Sequence, residues 1–104
     1  MILTDKCKAD FEKWYEKTID LNFAPPILIF NDIHPSMQYG VIVDFADSVG
    51  YYIVIEQVGY SNNNFYHQIK SIDGYFYSES ATNGTRHEAR TEAVKKFNEI
   101  YNSK

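Results

Sequence analysis

Cys7, Phe11, Trp14, Tyr15, Thr18 and Ile19 recur at helical spacing, with Lys and Glu filling the positions between them. That period lays one apolar stripe along a helix, so an amphipathic helix is predicted over Asp5–Ile19. The pattern then breaks. Pro25-Pro26, the apolar run Ile27-Leu28-Ile29-Phe30 and Asn31-Asp32-Ile33-His34-Pro35 forbid a continuing helix, and Leu21–Pro35 reads as a packed connector with a turn. From Ser36 to Val49 two periods compete. Met37, Val41 and Phe45, beside Ile42, Ala46 and Val49, trace a helix face, whereas Tyr39, Val41, Val43 and Phe45 alternate like a strand. Ser36 as an N-cap and Gly50 as a C-cap stand a helix length apart, which favours helix.

Tyr51–Val58 is dense in β-branched and aromatic residues and runs into the polar loop Gly59–Asn64, which predicts a strand and a hairpin loop. Phe65–Ile72 and Tyr75–Ser80 flank Asp73-Gly74, a dipeptide suited to a type I′ turn. Pairing Ile72 with Tyr75 places Gln68, Lys70, Ile72, Tyr75, Tyr77 and Glu79 on a solvent face and Ile69 and Phe76 on the core face. Asn83-Gly84 marks a further turn. Thr85-Arg86-His87-Glu88 has capping-box form, and Ala89, Ala93, Phe97, Ile100 and Tyr101 then form the apolar arc of a closing helix over Thr85–Asn102.

Composition supports one folded domain over residues 1–104, with 1–35 as N-terminal helix and connector ahead of a 36–104 core. The 104 residues are 44% apolar, with nine Tyr and seven Phe, enough apolar mass to offset chain ordering without a metal or disulfide. Cys7 is the single cysteine, so an internal disulfide and a cysteine-rich zinc site are both excluded, and a reducing, cytoplasmic setting is expected. No apolar run reaches bilayer length, so no membrane partner is expected. The net charge is −4, which opposes long-range attraction of phosphate.

Candidate chemistry is sparse. His34, His67, His87 and Cys7 show no paired short spacing, so no metal or other cofactor is expected and no catalytic residue is assigned. Cys7 falls on the apolar side of its helix, where a thiol is inert. Asp44 and Asp47 read as a solvated edge rather than an acid/base pair. Two surfaces remain as candidates. Lys70, Tyr75 and Tyr77 are candidate surface contacts, an aromatic platform beside a cation. Arg86, His87 and Arg90 gather in the first turns of the closing helix, with Glu88 and Glu92 interleaved.

From Ser36 onward the order helix-strand-strand-strand-helix resembles the double-stranded RNA-binding domain. The segment Phe65-Tyr66-His67-Gln68-Ile69-Lys70 through Asp73-Gly74-Tyr75-Phe76-Tyr77 is similar to that family's second hairpin. Arg86-His87-Glu88-Ala89-Arg90 is similar to its Lys-Lys-x-Ala-Lys helix start, and Ala93-Val94 to the small apolar pair that follows. The resemblance implies an α+β fold, an N-terminal helix followed by α-β-β-β-α with a three-stranded antiparallel sheet, and implies that Arg86, His87 and Arg90 hold duplex RNA phosphates. The loop Gly59–Asn64 carries neither the Pro nor the His of the family's minor-groove element, so the likeness bears on fold more than on activity. The start Asp5-Lys6-Cys7-Lys8-Ala9-Asp10-Phe11-Glu12-Lys13-Trp14, with Met37-Gln38-Tyr39-Gly40 and Asp47-Ser48-Val49-Gly50, also looks like small proteins of gut-bacterial phages and prophages. The functional expectation is a non-enzymatic interaction module, phage- or prophage-related, that binds a protein partner or itself. Nucleic-acid binding through Arg86, His87 and Arg90 is the alternative.

Overall fold

The structure, a computed structural model, describes residues 1–18, 27–57, 64–73 and 76–103. Its elements are α1 (Asp5–Thr18), a 3-10 helix (Ile27–Asp32), α2 (Pro35–Ser48), β1 (Tyr51–Gln57), β2 (Asn64–Ser71), β3 (Phe76–Asn83) and α3 (Arg86–Asn102). The connector around Pro25-Pro26 and the loop after Gln57 lie outside the described residues.

In the ambiguous stretch the helical period prevails, because Gln38, Ile42, Phe45 and Ala46 are the residues buried, one face of a helix, while Tyr39, Val41 and Val43 are only half-buried. The expected N-cap, Ser36, is corrected to His34. Pro35 takes the first helical position, where its preset φ fits and its missing N–H costs nothing, so the cap falls two residues earlier than expected. The His34 Nδ1 then accepts the Ser36 N–H at 3.1 Å. At the other end Val49 is the C-cap, and Gly50 follows at φ +91°, a left-handed turn into β1 that side chains resist. Helix α3 opens with the full capping box: the Thr85 Oγ1 accepts the Glu88 N–H at 3.2 Å, and the Glu88 carboxylate accepts the Thr85 N–H at 3.4 Å.

The uninterrupted antiparallel pair of the sheet is β1–β2, in register from Tyr51 opposite Ser71 to Gln57 opposite Phe65. Strand β3 adds antiparallel to β2, giving the order β1-β2-β3. From Asn64–Asn83 to Ile69–Ser78 the β2–β3 register is the one an Ile72–Tyr75 pair would set, but it shifts between Ile69 and Lys70. Phe76, expected on the core face, therefore stands opposite Lys70, and β2 ends at Ser71 so that Ile72 lies beyond it. The Asp73-Gly74 turn and Tyr75 fall at the edge of, or outside, the described residues.

Helix α3 packs across all three strands and α2 packs against β1. The core they enclose is aromatic, and Phe45 of α2 is its hub: its ring lies 5.4 Å from Phe11, 5.6 Å from Trp14, 6.1 Å from Phe97 and 5.9 Å from Tyr101, centroid to centroid. Such tilted and edge-on contacts add to the burial itself.

The expected fold class is corrected in its organisation. It foresaw a double-stranded-RNA-binding-domain-like α-β-β-β-α unit with a three-stranded sheet, preceded by an added helix. What forms is α+β, three helices over a sheet whose regular part is the β1–β2 pair, and α1 is part of the core rather than an addition. Cys7, Phe11 and Tyr15 of α1 are buried in the same cluster as Phe45, Ile69 and Phe97. Side chains of α3 also cap the start of α1: the Asn102 Oδ1 accepts the Cys7 N–H at 2.8 Å, and the Asn98 Oδ1 accepts the Thr4 N–H at 2.9 Å. The Tyr101 hydroxyl donates to Asp10 at 2.6 Å. Gln38, buried in α2, binds the entry chain, accepting from the Met1 ammonium at 3.2 Å and donating to the Ile33 carbonyl at 2.8 Å.

Candidate functional site

Alternation along β1 and β2 separates two faces. Tyr51, Ile53, Phe65, His67, Ile69 and Ser71 are buried toward the helices. Tyr52, Val54 and Glu56 of β1 and Tyr66, Gln68 and Lys70 of β2 point the other way and are half-buried or exposed, Tyr52 at 42%. No helix of the described residues covers this outer face, since α2 and α3 both pack on the inner one. The register sets Tyr52 beside Lys70, Val54 beside Gln68 and Glu56 beside Tyr66. The Gln68 amide donates to the Tyr66 hydroxyl at 2.9 Å. Ile72, 60% exposed, closes the face beside Tyr52, its N–H donating to the Gly50 carbonyl at 2.9 Å. Aromatic, apolar and singly charged groups thus share a pleated surface, the mixture that protein contacts favour.

Of the surface contacts expected from the sequence, Lys70 sits half-buried on this outer face. Tyr75 lies outside the described residues, and Tyr77 stands in β3 at the register shift. Tyr52 and Val54, which belong to the same face, were missed because β1 was read as a strand with no faces assigned. The β1–β2 register supplies them.

The basic first turns of α3 are built differently from a phosphate clamp. The Arg86 guanidinium rests over the ring of Phe65, 5.3 Å from its centroid, and the Arg90 guanidinium over Tyr39 at 5.1 Å. One rests on β2 and the other on α2, so the two cations lean onto different elements. His87 is exposed. The capping box already occupies the Glu88 N–H and sets a carboxylate among these cations. Phe65 and Tyr39 as arginine seats were not legible in the sequence, because both are distant neighbours of α3.

The other candidates are structural. Cys7 is fully buried, and burial followed by the nearby Asp10 charge pushes its thiol up to about 12, which removes thiolate at neutral pH. His34 serves as the α2 cap. Asp44 and Asp47 are exposed; desolvation and then the Asp44 charge raise the Asp47 carboxyl. His67 is 4% exposed on the central strand, with no hydrogen-bond partner for either ring nitrogen among the described residues. Burial lowers its pKa, Glu92 opposing that shift and Lys96 adding to it. No group of three or more His, Cys, Asp and Glu side chains among the described residues is placed to hold a metal. A hollow of about 120 Å³ near the N-terminus is lined by Leu3, Phe11 and Phe30 with Lys8 and Glu12. No helix of the described residues is long and apolar enough to cross a membrane.

Comparison with protein-family models, with curated proteins and with solved structures finds no match. The likenesses to the double-stranded RNA-binding domain and to phage proteins therefore rest on the sequence alone.

Proposed function

We propose that the protein is a non-enzymatic interaction module, of phage or prophage type and acting in the cytoplasm, that presents the outer face of its sheet to a protein partner or to a second copy of itself. The observation that carries this reading is a sheet face that no helix of the described residues covers, with Tyr52 and Ile72 exposed and Val54, Tyr66 and Lys70 half-buried. A sheet face that no helix covers leaves apolar and aromatic area in water, and docking a partner returns it to a dry environment. Support for a non-enzymatic role comes from the chemistry of the groups that are present. The thiol is buried and protonated, and the acids of the described residues are spread over helices, strands and turns without gathering at one place. The test is affinity capture with the wild type and Lys70→Glu/Tyr66→Ala as parallel baits, together with sedimentation. A partner retained by the wild type and lost in the variant is expected. A monomer that retains nothing with either bait refutes the reading.

Duplex RNA binding through Arg86, His87 and Arg90 is the second reading, favoured by one observation: both guanidinium groups lie over aromatic rings, Arg86 over buried Phe65 and Arg90 over half-buried Tyr39. It predicts salt-dependent binding of a fluorescent RNA duplex that Arg86→Glu/Arg90→Glu abolishes. Absence of binding at low salt ends it.

A further inference from the structure

Strand β1 is an edge of the sheet, and its open side is spelled out by its hydrogen bonding. The Ile72 N–H donates to the Gly50 carbonyl, and the register places Gly50 opposite Ile72, so that pair is of the hydrogen-bonded kind. Opposed residues of an antiparallel pair alternate between bonded and non-bonded. Tyr52, Val54 and Glu56 therefore turn their N–H and C=O groups toward β2, and Tyr51, Ile53, Ile55 and Gln57 turn theirs outward. Among the described residues nothing pairs with the outward groups of Ile53 and Ile55.

Natural sheets blunt such edges with Lys, Pro, bulges or very short strands. Strand β1 has none of these. Its seven residues, Tyr-Tyr-Ile-Val-Ile-Glu-Gln, include no Pro, Gly or Lys, and its register with β2 is unbroken. An edge of this composition joins another strand whenever one fits, and a second β1 fits.

We infer that the chain forms a two-fold dimer by antiparallel pairing of β1 with the β1 of a second copy, centred on Val54. This register follows from the strand itself. It pairs Ile53 of one copy with Ile55 of the other, each pair exchanging both backbone bonds, which are the groups left outward. It places Val54 against Val54 in the close non-hydrogen-bonded position, and Tyr51 opposite Gln57. The one charged residue of the strand, Glu56, meets Tyr52 rather than its own copy, so no like charges oppose each other. The two-fold is isologous and closes, which prevents propagation into a fibre. The helices of both copies then lie on one side, and the outer faces merge into one surface with three strands from each copy. This deepens the interaction-module reading and rests on it for the view that the chain acts through its sheet, but it uses the strand edge rather than the face.

The experiment is sedimentation of the full chain from about 10 µM to about 1 mM, the span of moderate to weak complexes, with hydrogen exchange of the Ile53 and Ile55 amides at both ends of the series. The wild type is expected to dimerise, and those two amides to gain protection as the dimer forms. Val54→Lys and Val54→Glu each place like charges across the centre of the seam and weaken the dimer by about tenfold or more. A 1:1 mixture of the two variants restores it as a heterodimer. The side chain at 54 is on the outer face, where a long charged residue reaches water, and the exchange measurement on the wild type needs no variant. The inference is overturned by a monomer across the range, or by a dimer that Val54→Lys and Val54→Glu leave intact. It is equally overturned by a mixture that does not reassociate, or by Ile53 and Ile55 amides that exchange alike in dilute and concentrated protein. Lys70→Glu/Tyr66→Ala, away from the seam, leaves the dimer intact, so loss of partner capture in that variant and loss of the dimer in Val54→Lys report separately on the face and on the edge.

Discussion

Asn102→Ala tests whether α1 belongs to the core. In the native structure the Asn102 Oδ1 accepts the Cys7 N–H at 2.8 Å, and its Nδ2 donates to the Thr4 carbonyl at 3.1 Å. Cys7 sits in the first turn of α1, whose leading amides have no carbonyl within the helix to bond. Asn102 therefore does for α1 what an N-cap side chain does locally, but from a residue 95 positions away. Loss of an N-cap costs about 1 kcal/mol, and leaving a part-buried amide unpaired about 1–3 kcal/mol, so Asn102→Ala is expected to lose about 2 kcal/mol. For a domain near this size that corresponds to a fall in Tm of about 8–12 °C. Asn102→Asp keeps the acceptor, places a negative charge at the positive end of α1 and loses the Nδ2 bonds to Thr4 and Asn98, so it is expected to lose about half as much. Urea unfolding with an unchanged m value measures both. A loss under about 0.5 kcal/mol for Asn102→Ala refutes the reasoning, because an amide that finds water so easily was not held by this contact.

Two further predictions follow from the core. Phe45→Ala removes the ring against which Phe11, Trp14, Phe97 and Tyr101 pack and is expected to cost about 3–5 kcal/mol by denaturant unfolding, whereas Phe45→Leu keeps most of the volume and costs less. His67, with its pKa lowered below the ordinary 6.5 by burial, takes up its proton in the unfolded chain before the folded one. The cost of burying the charged ring is absent above that value, and stability is lost as pH falls from about 6.5 toward the folded pKa. Comparing unfolding of the wild type and His67→Leu across pH 5–8 is expected to show that slope in the wild type alone; parallel profiles would refute it.

What the sequence made legible was local. The capping box of α3 is complete in Thr85 and Glu88, within a single turn, and the start and stop of α2 are bracketed by Pro35 and Gly50. The outer-face position of Lys70 follows from alternation, and most of the β2–β3 register follows from a turn whose two flanks are in view. The register shift beside Lys70 has no local mark, so the pairing of Lys70 with Phe76 was not foreseen. The displaced N-cap came from weighing Ser36 as a capping residue ahead of the steric claim of Pro35 on the first helical position. The role of α1 was illegible for a stronger reason. Asn98 and Asn102 read as polar positions at the frayed end of an amphipathic helix, and nothing in their own neighbourhood says that Thr4 and Cys7 lie against them.

The same distinction bears on where function lies. The first turn of α3 drew attention because its cations are adjacent in sequence, but in the fold each is already engaged. Arg86 lies against Phe65 and Arg90 against Tyr39, and the helix start is closed by Thr85 and Glu88. Binding a phosphate there must compete with contacts that hold the helix in place. Binding at the sheet meets no such competition, since Tyr52 and Ile72 are exposed and the outward backbone of Ile53 and Ile55 pairs with nothing among the described residues. A group left unpaired by the fold gains from a partner without first giving one up, and on that physical ground the sheet, rather than the charged helix, is the surface we propose for contact with other molecules.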